Sequence, residues 1–207
     1  FRRLEMVSPY GQSSTQLDST YEQLNAALGF KTSPVTGLWF NIYGGYQDLK
    51  NNLASAAIAN YSGSYLQLLQ GNMHNIYAGA EASYSYKDII SFTASGIYRD
   101  WKTAKTENNS GDQLLYYMPS FEANFKVDIR PVSSVLINLG YQHITREKIG
   151  NERVDPVGNL YLGGSYEVFE GISIYVRANN LLNKDYQYYP GYPTEGINFM
   201  GGVSFRF

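Results

Sequence analysis

The sequence predicts an all-β fold of long antiparallel strands that cross a lipid bilayer. Three observations predict it. Apolar and polar residues alternate with a period of two along most of the chain. Connections between the alternating stretches are short and long by turns. Aromatic residues on the apolar parity gather at the ends of the stretches.

The alternation is clearest in 115–130. Leu115, Tyr117, Pro119, Phe121, Ala123, Phe125, Val127 and Ile129 share one parity. Ser120, Glu122, Asn124, Lys126, Asp128 and Arg130 share the other. Side chains alternate across a strand, so this is a ribbon with one greasy and one wet face. At roughly 16 residues it exceeds the usual ~5–6 of a globular strand, which suits a barrel with a lipid-facing outside and an aqueous inside. Leu24/Ala26/Leu28/Phe30 repeat the pattern, as do Leu38/Phe40/Ile42/Tyr46, Ile76/Ala78/Ala80/Ala82, Phe92/Ala94/Gly96/Tyr98 and Val135/Ile137/Leu139/Tyr141. Farther on come Leu160/Leu162/Tyr166/Val168, Ile172/Ile174/Val176/Ala178 and Ile197/Phe199/Val203/Phe205/Phe207. Counting such stretches gives about nine strands. Ala123 and Leu139 are expected to face lipid near mid-depth.

The short connections are 33–36, 87–90, 131–134 and 169–171; the long ones are 48–73, 102–113, 147–157 and 181–195. Short periplasmic turns and longer outside loops are the habit of bacterial outer-membrane barrels. On that orientation Phe30, Tyr84, Tyr86, Phe92, Phe125, Tyr166, Phe205 and Phe207 fall near the short-turn end. Tyr46, Tyr98, Tyr117, Tyr141 and Phe199 fall near the long-loop end, giving two aromatic girdles, with Phe40 and Phe121 between them. The expected fold class is therefore an antiparallel transmembrane outer-membrane β-barrel, placed in the outer membrane of a Gram-negative bacterium and in contact with its lipid.

Composition narrows the alternatives. With 20 Tyr and 10 Phe, aromatic content is 15%, and Tyr suits a membrane boundary because its ring is apolar and its hydroxyl stays wet. Mean hydropathy is −0.33, and the chain lacks the ~18-residue apolar run of a membrane-crossing helix. A net charge of −2 gives no electrostatic case for nucleic acid. The absence of Cys is compatible with an oxidising compartment. No signal-peptide pattern is visible in Phe1-Arg2-Arg3-Leu4, so this start is not expected to be the nascent one, and 1–18 reads as a loop or ragged strand. The whole of 1–207 is expected to be one portion of a barrel.

The C-terminus ends on Phe207, with Phe205 two residues before it and Gly202 five before it. These three resemble the signal read by the barrel-assembly machinery, although Met200 stands where that signal usually has a polar residue. Ahead of it, Asn179-Asn180-Leu181-Leu182-Asn183-Lys184-Asp185-Tyr186-Gln187 leads into Tyr188-Tyr189-Pro190-Gly191-Tyr192-Pro193. This run resembles the end of TonB-dependent receptors of the vitamin B12 and siderophore branch. The family's usual Gly-Arg pair is broken here, because Ile197 follows Gly196. The resemblance implies the C-terminal part of a large barrel for active uptake of a scarce ligand such as a metal chelate or cobalamin. It also implies a plug carrying a TonB box that engages TonB-ExbB-ExbD. No plug-like stretch is visible in this chain, and about nine strands cannot make that barrel. The implied protein is not an enzyme and needs no cofactor. The rival is a small self-contained outer-membrane barrel acting as an adhesin, structural protein or enzyme. A plug and TonB box encoded upstream would favour the first reading; a signal peptide just before Phe1 would favour the second.

Catalytic and metal signatures are not found in the sequence. His74 and His143 are the only histidines, too far apart for a convincing metal site. Glu122, Lys126, Asp128 and Arg130 are expected to solvate the interior or meet a plug. Asn180, Asn183 and Asp185 read as structural, since Asn and Asp side chains satisfy nearby backbone groups and tolerate left-handed conformations. Ligand contact is expected on the two longest loops. One carries Tyr61 and Tyr65; the other carries Tyr188 and Tyr189, stiffened by Pro190 and Pro193.

Overall fold

The structure, a computed structural model, describes residues 5–6, 15–16, 18–60, 63–103, 115, 118–147, 155–189 and 192–206. Their side chains are described except at 5–6, 15–16, 53–60, 63–69, 189 and 192. The elements are β1 (Glu5–Met6), β2 (Thr15–Gln16), β3 (Tyr21–Val35), β4 (Leu38–Asn60), β5 (Gly63–Tyr86), β6 (Ile90–Thr103) and β7 (Pro119–Ile129). They continue with β8 (Val135–Arg146), β9 (Val157–Phe169), β10 (Ile172–Asn179), β11 (Gln187–Tyr189), β12 (Tyr192–Pro193) and β13 (Asn198–Phe205). Nine of them form one antiparallel meander in the order β3-β4-β5-β6-β7-β8-β9-β10-β13. The small hairpins β1-β2 and β11-β12 stand apart from it. Among the described residues the sheet does not close, because β3 pairs only with β4 and β13 only with β10.

Cross-strand register establishes the two faces. Ala123 lies opposite Gly96 and His143; Gly96 meets Ala80, Ala80 meets Ile42, and Ile42 meets Phe30. That row belongs to the apolar parity. Other residues of the same face stand open to the surroundings, with Leu28 84%, Phe199 80% and Val176 66% exposed. A soluble sheet with so much exposed apolar surface and so small a core would aggregate; a bilayer makes the same surface favourable. On the other face the row Asn41, Glu81, Ser95, Asn124, Gln142, Asn159 crosses six strands through side chains that are all polar. Chain segments between strands fold back over this polar face, which marks it as the enclosed one. Leu115 and Met118 pack on Met73 and Trp101 there, and the Trp101 indole N–H donates to the Pro119 carbonyl at 2.9 Å.

Three expectations need correction. The stretch 48–73 is not a loop but the outer part of a hairpin. β4 has 23 residues and β5 has 24, against the ~9–11 that cross a bilayer. A bulge between Leu49 and Asn52, with Asn51 at φ 52°, marks the change of register. Leu115 does not extend the apolar face of β7. It sits in a turn closed by Met118 N–H donating to its carbonyl, and it packs inward; Pro119 begins the strand. Ala123 has the expected parity but is only 6% exposed, because it sits in the row between Gly96 and His143 with large Phe121 and Phe125 beside it.

The wet face also carries aromatics that alternation alone places among polar residues. Tyr43 lies over Gly79, Tyr77 over Gly45, Tyr161 over Gly140 and Tyr175 over Gly202, each pair directly opposite across two strands. At Gly202 an added Cβ would lie 2.6 Å from the Tyr175 hydroxyl oxygen and 2.7 Å from its ring. A missing side chain on one strand thus seats a ring from the next, packing the interior wall without a conventional core.

Candidate functional site

The best-defined polar construction lies at the long-connection end of the enclosed face, where the segment after β10 returns to the wall. β10 ends as Asn180 takes a left-handed conformation at φ 51°, and Asn183 takes another at φ 48°. Asn tolerates this region better than most residues, because its short side chain bonds locally. The Asn180 backbone N–H donates to Asn159 Oδ1 at 2.9 Å. Its side-chain amide donates to the carbonyls of Lys184 and Glu195, both at 3.0 Å, while its Oδ1 accepts from Lys184 N–H at 3.1 Å. Asn183 Oδ1 accepts from Ile197 N–H at 3.2 Å. Asn180 is 1% exposed, so one side chain ties both ends of the connection together. This is the structural role expected for Asn180 and Asn183; Asp185 stays exposed.

From this knot the β11-β12 hairpin is held against β8. Arg146 Nη2 donates to the carbonyls of Gln187 (2.8 Å) and Tyr188 (3.1 Å). The Tyr188 hydroxyl donates to Gln142 Oε1 at 2.7 Å. Tyr186 is buried and meets Tyr188 edge-on with ring centroids 5.5 Å apart. Thr194 bonds back to the Tyr186 carbonyl through its N–H at 3.0 Å and its hydroxyl at 2.8 Å. The result is a short strap lying over the interior wall. Burial, and then neighbouring Tyr188, push the Tyr186 phenol up to about 12. The unfolded chain ionises near ~10, so the anchoring contribution of Tyr186 is complete below that pH and is lost as pH rises toward 12. Difference titration of tyrosinate absorbance between wild type and Tyr186→Phe is expected to show one late step in the wild type alone. A group titrating with the bulk of the tyrosines would overturn this.

Lower on the same wall, Arg99 pairs with Glu122, Lys126 with Asp128 (2.8 Å), and Asn41 Nδ2 donates to Glu81 Oε2 at 3.4 Å. Arg177 lies over the Tyr161 ring at 4.3 Å. The charges thus neutralise one another locally, leaving a hydrated wall of mixed sign. Across it, near the outer end, a polar chain runs from Asn75 through Gln47 (2.8 Å) to Glu22 (2.6 Å). Among the described residues no three His, Asp or Glu side chains are placed to hold a metal ion. His74 is on β5 and His143 on β8, three strand spacings of ~4.8 Å apart, beyond the reach of one ion. Both belong to the apolar parity, where His74 meets Tyr46 and His143 lies between Phe121 and Tyr141.

The residues singled out in the sequence for ligand contact are not gathered into one place. Tyr188 is engaged with Gln142 and Tyr186 and is 37% exposed. Tyr189 is in β11 and Tyr65 in β5, with side chains outside the described residues; Tyr61 is outside them altogether, as is Phe207. Gly202 and Phe205 are on β13, with Phe205 60% exposed on the apolar face and opposite Ile172. Sequence reasoning missed Gln142 and Arg146 as the strap's partners, since no local pattern distinguishes them from other wet-face residues.

Fold and surface together define a class: the wall of a transmembrane antiparallel β-barrel of the outer-membrane kind. No family model matches the chain, and no curated protein sequence matches it. Solved structures do. The copper transporter OprC aligns with a TM-score of 0.68 at 18% identity, over 88% of this chain and 31% of its own. The FrpB iron transporter from Neisseria meningitidis aligns at 0.65 and 15%, over 88% and 31%. The ferric-catecholate import receptor Fiu from E. coli K12 aligns at 0.63 and 14%, over 88% and 27%. The chain spans about three tenths of the length of these structures, and the likeness establishes the fold.

Proposed function

We propose that this chain is the C-terminal part of the barrel of a TonB-dependent outer-membrane receptor that imports a scarce small ligand such as a metal chelate or cobalamin. The observation that carries the reading is the nine-stranded wall itself. It has a lipid-ready outside, a polar inside and a tied strap at the outer end, and it aligns along most of its length with a copper transporter, an iron transporter and a ferric-catecholate import receptor. The C-terminal motif of the sequence supports the same family. On this reading the protein lies in the Gram-negative outer membrane and works as a transporter rather than an enzyme. TonB-ExbB-ExbD acts through a plug that these residues do not supply, and Tyr61, Tyr65, Tyr188 and Tyr189 are the first side chains to test for ligand contact.

The decisive experiment measures accumulation of labelled ferric catecholate, copper and cobalamin in cells expressing the full gene, with and without TonB. Uptake of at least one that needs both the gene and TonB supports the reading. Uptake indifferent to TonB, or none of the three, overturns it. The assembly role of the terminus is tested separately. Phe205→Asp, or deletion of Phe207, is expected to lower barrel insertion severalfold, since a terminal strand that pairs with an assembly machine presents alternate side chains to pockets. Unchanged surface levels of both variants would count against that role.

A further inference from the structure

Arg177 on β10 is the exception among the cations of the enclosed wall. Arg99 is paired with Glu122 and Lys126 with Asp128, and Arg146 holds the strap through two carbonyls. Arg177 is held instead by a ring and an amide, neither of which carries charge. Its guanidinium carbon lies 4.3 Å from the centre of the Tyr161 ring, and its Nε donates to Asn179 Oδ1 at 2.8 Å. Both supports are themselves fixed. Tyr161 is seated over Gly140, directly opposite it on β8. Asn179 Nδ2 donates to Asn198 Oδ1 at 3.0 Å, and Asn198 Nδ2 donates to the Gly196 carbonyl at 3.2 Å. In register Arg177 meets Gly163 on one side and Met200 on the other, so no carboxylate stands across from it. On the inward parity of β8, β9, β10 and β13 the charged residues are Arg146, Glu167 and Arg177. Glu167 is opposite Ser173, ~13 Å down the sheet from Arg177 at the rise of a strand. Its Oε1 accepts from the Gly171 N–H at the short turn. The Arg177 side chain is exposed to the interior, and among the described residues its two terminal nitrogens have no hydrogen-bond partner.

We propose that Arg177 anchors an oxyanion carried by the imported ligand, and that this ligand is an anionic metal chelate rather than neutral cobalamin. The inference rests on the receptor reading given above. A guanidinium presents its donors as a planar fork that matches two oxygens of a carboxylate or a similar anion. Stacking on Tyr161 covers one face of that plane, and Asn179 takes Nε. Nη1 and Nη2 are left side by side for a two-point grip. The side chain is ordered before a ligand arrives, which lowers the entropic cost of binding. Charge agrees with this: on the inward face of these four strands two arginines stand against one glutamate. Position agrees as well. On the proposed orientation β10 runs outward, and Arg177 lies just before its outer end at Asn179. A ligand entering from outside reaches that level of the wall first, whereas a plug carboxylate, the competing occupant, would come from within.

The test measures equilibrium binding of ferric citrate, a ferric tricatecholate and cyanocobalamin to the full receptor purified in detergent. At least one of the two anionic chelates is expected to bind. Arg177→Gln should weaken that binding about tenfold or more, as expected for losing hydrogen bonds between charged groups. Arg177→Lys keeps the charge but not the fork or the stack, and should weaken it comparably. Lys126→Gln removes an equal charge from the same wall and should leave the affinity unchanged. Wild-type surface levels and thermal unfolding of the variants show that the barrel is intact. Binding of cyanocobalamin alone, or of none of the three, would overturn the proposal. So would an anionic chelate whose affinity ignores Arg177→Gln or falls as far with Lys126→Gln. Entry of a bulky antibiotic into Arg177→Gln cells, at unchanged chelate affinity, would assign Arg177 to the plug and also overturn it. TonB-dependent accumulation of the same compounds and of copper is scored in parallel. If no compound accumulates, the receptor reading fails; if one does and Arg177 is without effect on chelate binding, only the anchor fails.

Discussion

Replacing Asn180 with Ala is expected to release the connection between β10 and β13 while leaving the nine-stranded sheet in place. The side chain it removes makes three hydrogen bonds, to Lys184 N–H and to the carbonyls of Lys184 and Glu195. Each buried backbone group left unpaired costs about 1–3 kcal/mol, and Ala tolerates the left-handed conformation at φ 51° less well than Asn. The segment does not have to pay all of these terms, because it can open and hydrate. The expected loss is therefore the free energy of docking, on the order of 3 kcal/mol or a hundredfold in local opening. Amide exchange should accelerate by that factor across 181–197 and hardly change in β8 and β9. Exchange that stays slow across 181–197 would mean the strap is held by Arg146 and Gln142 without the knot.

The second large effect concerns the bilayer. Leu139 is on the apolar face of β8, 43% exposed and opposite Val127 and Leu162. Leu139→Arg is expected to destabilise the lipid-folded barrel by ~2–4 kcal/mol, the range for a cation at mid-depth on a barrel's outer face. Asn124→Arg, on the opposite parity of neighbouring β7 and exposed to the interior, should cost little. Denaturant titration of the full protein refolded into lipid vesicles measures both. Equal losses at the two positions would mean that the faces are wrongly assigned. Ala123 makes a poorer probe despite its parity, because it is sheltered and Arg there would add overpacking to the cost of charge.

The two faces were legible because a strand's period is fixed by its backbone, so eight or ten residues of alternation leave little choice. The extent of the strands was less legible. In 53–59 small and apolar residues follow one another without alternation, which reads as a loop when the criterion is one wet and one greasy face. Outside the bilayer that criterion no longer applies, and the hairpin persists through cross-strand pairing. Leu115 shows the opposite error: its parity matched β7, but periodicity cannot say where a chain turns inward. The four tyrosines seated on glycines escaped notice for a related reason. A Tyr on the wet parity and a Gly far along the chain mean nothing until register sets them opposite each other, as with Tyr161 and Gly140. The strap's knot was half legible. The Asn-rich turn announced its left-handed residues, whereas the reach of Asn180 to Glu195 and of Arg146 to Tyr188 depends on long-range geometry.

The order of the sheet constrains what can complete it. Successive strands reverse direction, so the first and ninth members of the meander, β3 and β13, point the same way. If those two edges met directly, they would form the one parallel seam in an otherwise antiparallel wall. In hydrocarbon every backbone amide along both seams must find a partner. An antiparallel seam on each side is possible only if an odd number of strands is interposed, whichever molecule supplies them. One strand would make a narrow ten-stranded cylinder, and each wider solution adds strands in pairs. The total is then always even, as it is in bacterial single-chain barrels. An oligomer built by joining β13 of one chain directly to β3 of the next would repeat the parallel seam at every junction, so simple ring assembly of this wall is disfavoured by direction alone.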